Sequence, residues 1–162
     1  MFKLKNLSRY QRIFIFSIIL ILSISALDIA CMNSGLFGTP ENYLVGNYTP
    51  GLWDLFYKIG LGLVILSCMG YFFLARQDKS ETIALFISSL SFWMVFGLAD
   101  LTFFWFRLVP VPSVLTWLNK GYIGWLSRLI GFSQVTNIAL YVCVAIGLVF
   151  NYYLIKILVK KY

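Results

Sequence analysis

Four apolar runs, each about the 20 residues needed to cross ~30 Å of hydrocarbon, govern what this chain can fold into. They fall at roughly 13–32, 52–74, 82–106 and 133–158. Only 12% of the 162 residues are charged, about half the roughly 25% of a soluble domain, so little solvating surface remains. The expected class is all-α: a polytopic membrane four-helix bundle forming one integral membrane domain over 1–162.

The net charge of +7 raises nucleic acid as a partner, and the positions of the charges exclude it. Lys3, Lys5, Arg9, Arg12, Arg76, Lys79, Lys156, Lys160 and Lys161 all flank apolar runs. That distribution follows the positive-inside rule, which counts Lys and Arg near span ends. It places both termini in the cytoplasm and makes membrane lipids the first expected partners. Lys58, Arg107, Lys120 and Arg128 are left for the opposite side.

Ile29-Ala30-Cys31 approximates the end of a lipoprotein cleavage box. Asp28 stands where that box requires an aliphatic residue, so the first run is read as a retained span. The connection 33–51 is rich in turn formers and carries a glycosylation-type triplet, Asn47-Tyr48-Thr49. Asp78 followed by Glu81 suits a helix N-terminus of the capping-box kind. Pro110 and Pro112 end the third run, because each lacks a backbone donor and restricts the residue before it. Between the third and fourth spans, Leu118, Tyr122, Trp125, Leu126 and Leu129 recur at helical spacing. This segment reads as an interfacial amphipathic helix anchored by Trp117 and Trp125.

Several chemistries are closed to this sequence. It has no histidine, which removes imidazole-based triads, proton shuttles and histidine metal sites. The cysteines Cys31, Cys68 and Cys143 lie on different runs with no C-x-x-C pair, and fit buried small residues. Gly60-Leu61-Gly62 lacks the third glycine and the lysine of a phosphate loop. No metal and no cofactor is expected.

What remains is a polar layer near the non-cytoplasmic end. With a rise of ~1.5 Å per residue, Asp28 lies about 6 Å and Asp100 about 9 Å below the outer ends of their runs. Asp54 and Lys58 are spaced for an ion pair on one helix face, Arg107 closes the third run, and Asn137 opens the fourth. On the third run, Ser89, Trp93, Gly97 and Asp100 share one face. Asp28, Asp54, Lys58, Trp93, Asp100, Arg107 and Asn137 are therefore the candidate ligand-binding residues. Asp28 and Asp100 are also the candidates for acid–base chemistry, since charges near hydrocarbon are costly to keep.

Two small-residue stripes, Ala139/Cys143/Gly147 and Ala84/Ser88/Ser91, suit close helix approach. Three functions follow. The first is a non-enzymatic accessory or assembly subunit packing on membrane partners or on a second copy of itself. The second is a module binding a lipid or small amphiphile in the outward polar pocket. The third is an Asp-based intramembrane enzyme or proton-coupled carrier. Missing catalytic hallmarks favour the first, and set the expectation against an enzyme.

Overall fold

The computed structural model describes the backbone of residues 7–33, 50–74 and 78–160, with side chains from 7–30, 57–74 and 78–160. Among them the chain is all-helical and no strand forms; Val114 and Thr136 make an isolated antiparallel bridge. The expected features at 34–49, including the Asn47 triplet, lie outside the described residues.

Helix α1 runs Arg9–Asn33 and begins earlier than the apolar run. A capping box starts it: the Ser8 N–H donates to Gln11 Oε1 at 2.9 Å, and the Gln11 N–H returns to Ser8 Oγ at 3.4 Å. Helix α2 runs Pro50–Leu74 and brings the chain back. Helix α3, Lys79–Leu90, starts on Asp78, whose carboxylate accepts the backbone N–H groups of Ser80 and Glu81 at 3.0 and 3.1 Å. The Glu81 side chain does not close a reciprocal box; it reaches other helices, as described below.

The third run is not one continuous helix. After Leu90 the chain makes a π-turn over Ser91–Val95, and the Phe96 N–H donates to Ser91 O at 3.1 Å. Gly97 follows at φ +72, the left-handed stop that glycine takes without a Cβ penalty. Helix α4, Leu98–Phe106, then leaves at 69° to the preceding axis. The face proposed for Ser89, Trp93, Gly97 and Asp100 therefore does not run through the break. A 3₁₀ turn at Thr116–Lys120, helix α5 (Tyr122–Leu129) and helix α6 (Asn137–Lys160) complete the order. Leu115 N–H to Val135 O at 2.8 Å and Val135 N–H to Asn119 Oδ1 at 2.7 Å tie the connection to the start of α6.

Helices α1, α2 and α6 are each long and apolar enough to cross a membrane, and the bent pair α3–α4 qualifies as a fourth crossing if taken together. This is a multi-pass membrane protein. α1, α3 and α6 pack mutually around Ile13, Ile21, Phe92, Leu140 and Ile155. The small residues serve this packing: Ala84, Ser88, Ala139, Cys143 and Gly147 are all buried. The Phe96 ring lies where a side chain on Gly147 would stand, and Trp93 does the same at Gly60. Of the described part of α2, only the narrow stripe Gly60, Val64 and Cys68 is buried. α2 thus touches the remaining helices along one edge, which leaves a cleft open beside it.

Candidate functional site

Hydroxyl contacts join α1 to α4 close to the level of Asp28 and Asp100. Ser25 on α1 and Thr102 on α4 hydrogen-bond through their hydroxyls at 2.7 Å, and Ser25 also donates to Ala99 O at 3.2 Å. This link sets the register between α1 and α4. One turn along, it brings Asp28 near enough to Asp100 for its charge to act there. Both aspartates are half-buried and both have interactions or neighbours in this layer. Asp100 sits in the first turn of α4, where the helix dipole favours an acid.

The other candidates divide. Trp93 is 5% exposed and stacks on Tyr57 at 5.6 Å between centroids, so it joins α2 to the π-turn as a packing residue. Arg107 stands over the Phe103 ring at 5.6 Å. Lys58 is exposed and engaged with neighbours. Asn137 turns its amide oxygen to the Ile138 N–H at 2.8 Å, while Thr136 Oγ1 accepts from Ala139 N–H at 3.1 Å. The polar groups that open α6 therefore cap their own helix. The Asp54 side chain, and with it the Asp54–Lys58 pairing, lies outside the described residues.

At the opposite end, where α1 and α3 begin and α2 ends, the structure holds a site the sequence reading did not single out. A cleft of about 1060 Å³ opens between α1, α2 and the start of α3. Its mouth carries Arg9, Arg12, Tyr71, Asp78 and Glu81; its walls carry Phe16, Ile19, Leu20, Ser23, Ser67, Gly70, Leu74 and Leu85. On α1 these positions recur every three or four residues, and on α2 likewise, so each wall is one helix face. The volume reaches the top of the ~300–1,000 Å³ usual for small-molecule pockets.

The mouth is a linked set. Tyr71 donates its hydroxyl to Glu81 Oε2 at 2.6 Å, a short charge-assisted bond that fixes α2 on α3. Arg9 spans both acids, with Nη1 at 3.4 Å from Asp78 Oδ2 and Nε at 3.6 Å from Glu81 Oε1. The Ser80 hydroxyl at 2.8 Å, the Glu81 and Ser80 backbone N–H groups and nearby Arg9 hold the Asp78 carboxyl below the usual carboxylate range. Arg12 is close enough to Tyr71 for its charge to be felt there, and makes no ion pair among the described residues. Deeper in, the Phe16 ring meets Tyr71 edge-on at 5.6 Å, and a side chain built at Gly70 would meet nothing within 4 Å. The cleft thus grades from charged to apolar along its length.

A sequence signal for this site existed. Arg9 and Arg12 precede Phe16, Ile19 and Ser23 on one helical face, and Asp78 and Glu81 begin the facing helix. Counting basic residues for orientation absorbed them as flanks. The chain matches no family model, no curated protein and no solved structure. Function therefore has to be read from the site alone.

Proposed function

We propose that this chain is a non-enzymatic four-span membrane protein that binds a membrane amphiphile in the cleft between α1 and α2. In this reading the bent pair α3–α4 is the third span, both termini are cytoplasmic, and α5 lies in the far interface with Tyr122, Trp125 and Leu129 toward lipid. The clustering of basic residues beside the cleft mouth supports that orientation. The exposure of those three α5 side chains supports the interfacial placement.

One observation carries the binding reading: a single cleft with ionised groups at its mouth and apolar walls beyond, the polarity profile of a lipid. The accessory-subunit reading drew on the small-residue stripes, and the packing within the chain already occupies most of both. The approach of Asp28 to Asp100 favours a second reading, an outward polar pocket for a ligand of the same class.

Native mass spectrometry from mild detergent tests the proposal. The wild-type chain retains lipid and Gly70→Trp, which fills open space in the cleft, loses it. Equal retention by both refutes the cleft; loss on Asp100→Asn with Gly70→Trp unchanged moves the site to the outward layer. Recovery of the bare chain bound to other protein subunits returns the accessory role.

A further inference from the structure

We propose that the cleft selects a phospholipid whose headgroup joins a phosphate to a primary ammonium, the phosphoethanolamine type. This rests on the cleft being an amphiphile site and names the occupant. The mouth holds two cations, Arg9 and Arg12, and two carboxylates, Asp78 and Glu81. Two of the four are already committed. Glu81 is 4% exposed, with one oxygen taken by Tyr71 and the other by Arg9. Arg9 lies across both acids.

What faces an incoming headgroup is then one cation and one carboxylate edge. Arg12 presents a guanidinium, whose planar fork of donors matches the oxygens of a phosphate. The Asp78 side chain is 27% exposed, and its Oδ2 holds only Arg9, at the long distance of 3.4 Å. An ammonium with three donors can take that oxygen in a shorter, charge-assisted bond. A quaternary ammonium has no donor to give. A headgroup with net negative charge gains at Arg12 and meets repulsion from Asp78 and Glu81. The mouth is complementary to a dipole, not to a net charge.

The tail fits the depth. From Arg12 to Ser23 the α1 wall rises about 16 Å, close to half of the ~30 Å hydrocarbon core. One acyl chain can therefore lie along Phe16, Ile19 and Leu20 with its phosphate at Arg12. Gly70 on the facing wall leaves the width for it.

The test uses full-length protein in detergent micelles containing equal amounts of phosphatidylethanolamine, phosphatidylcholine and phosphatidylglycerol, with bound lipid counted by native mass spectrometry. The ethanolamine lipid is expected to exceed each of the others by roughly tenfold, the scale of one charge-assisted hydrogen bond. Asp78→Asn keeps the helix cap, since Asn and Asp cap equally well. It should bring the ethanolamine-to-choline ratio near one without abolishing retention. Arg12→Gln should lower all three lipids together. Unfolding midpoints of both variants check that the fold is kept.

Equal retention of the three lipids by the wild type, a preference for phosphatidylglycerol, or an unchanged ratio in Asp78→Asn overturns the headgroup assignment. The two proposals fail separately. Lipid that Gly70→Trp displaces without headgroup preference leaves the cleft standing and removes this inference. Lipid that Gly70→Trp does not displace removes the cleft itself.

Discussion

Gly97→Ala decides whether the third run is bent as described, because bent and straight helices predict opposite signs. In a straight helix the change removes a glycine from the interior and should stabilise by up to about 1 kcal/mol. In the bent structure Gly97 holds φ +72, which costs an L-residue roughly 1–2 kcal/mol. The added Cβ would also stand 2.7 Å from Leu140 Cδ1 and 3.0 Å from Ile123 Cδ1, so both side chains must move. Overpacking of this kind costs about 1–3 kcal/mol. Both neighbours are flexible side-chain ends, which puts the packing contribution at the low end and the total at roughly 2–4 kcal/mol. Gly131 supplies the control: its φ is +96 and nothing lies within 4 Å of a built Cβ, so Gly131→Ala carries backbone strain alone. The assay is reversible unfolding in mixed micelles, followed by helix signal, for wild type and both variants. Gly97→Ala should be the least stable, with Gly131→Ala between it and the wild type. A Gly97→Ala protein as stable as the wild type, or more so, would refute the break and the placement of α4.

Other perturbations test the remaining contacts. Tyr71→Phe removes the 2.6 Å bond to Glu81 and should destabilise by about 2 kcal/mol, the range for a hydrogen bond to a charged group; an unfolding midpoint unchanged from wild type contradicts the contact. Asp78→Ala should lose about 1 kcal/mol of capping while Asp78→Asn, an equally good cap, keeps it. Because the Asp78 pKa is lowered on folding, its contribution is complete above the unfolded value near ~3.9 and fades as pH falls through the lower folded value. An acid titration of stability should therefore be flatter for Asp78→Asn than for wild type below about pH 4, and parallel curves would contradict this. Ser89 Oγ is buried with no hydrogen-bond partner among the described residues, so Ser89→Ala should stabilise by about 1 kcal/mol in the same unfolding assay. A cysteine placed at Lys160 should react with an impermeant maleimide in inverted vesicles and not in right-side-out ones, and the reverse pattern would invert the topology.

Hydropathy alone made the class legible. Long apolar runs need a bilayer as solvent, and the basic flanks of α1, α3 and α6 gave an expected orientation. Local signals were legible too where short-range geometry decides them: Asp78 was expected at the start of α3 and caps it. The Ser8–Gln11 box that starts α1 follows the same rule, yet stands outside the apolar run and escaped notice. Depth along the helices put Asp28 and Asp100 at one level; the Ser25–Thr102 link joins their two helices, and the bend in the third run changes how α4 reaches that level.

Periodicity could not say which apolar faces meet protein and which meet lipid, since a bilayer rewards both with the same residue types. For that reason the small-residue stripes read equally well as external or internal contacts, and only the packed structure turned most of both inward. The bend at Gly97 depends on Phe96 seating against Gly147 and on Leu140 and Ile123 closing over the glycine, contacts between residues far apart in sequence. The cleft depends on α2 burying, among its described side chains, just the stripe Gly60, Val64 and Cys68 against its neighbours. A one-dimensional pattern fixes what each helix is made of. The space left between helices is set by side-chain volumes meeting across the chain, and the folded arrangement alone determines it.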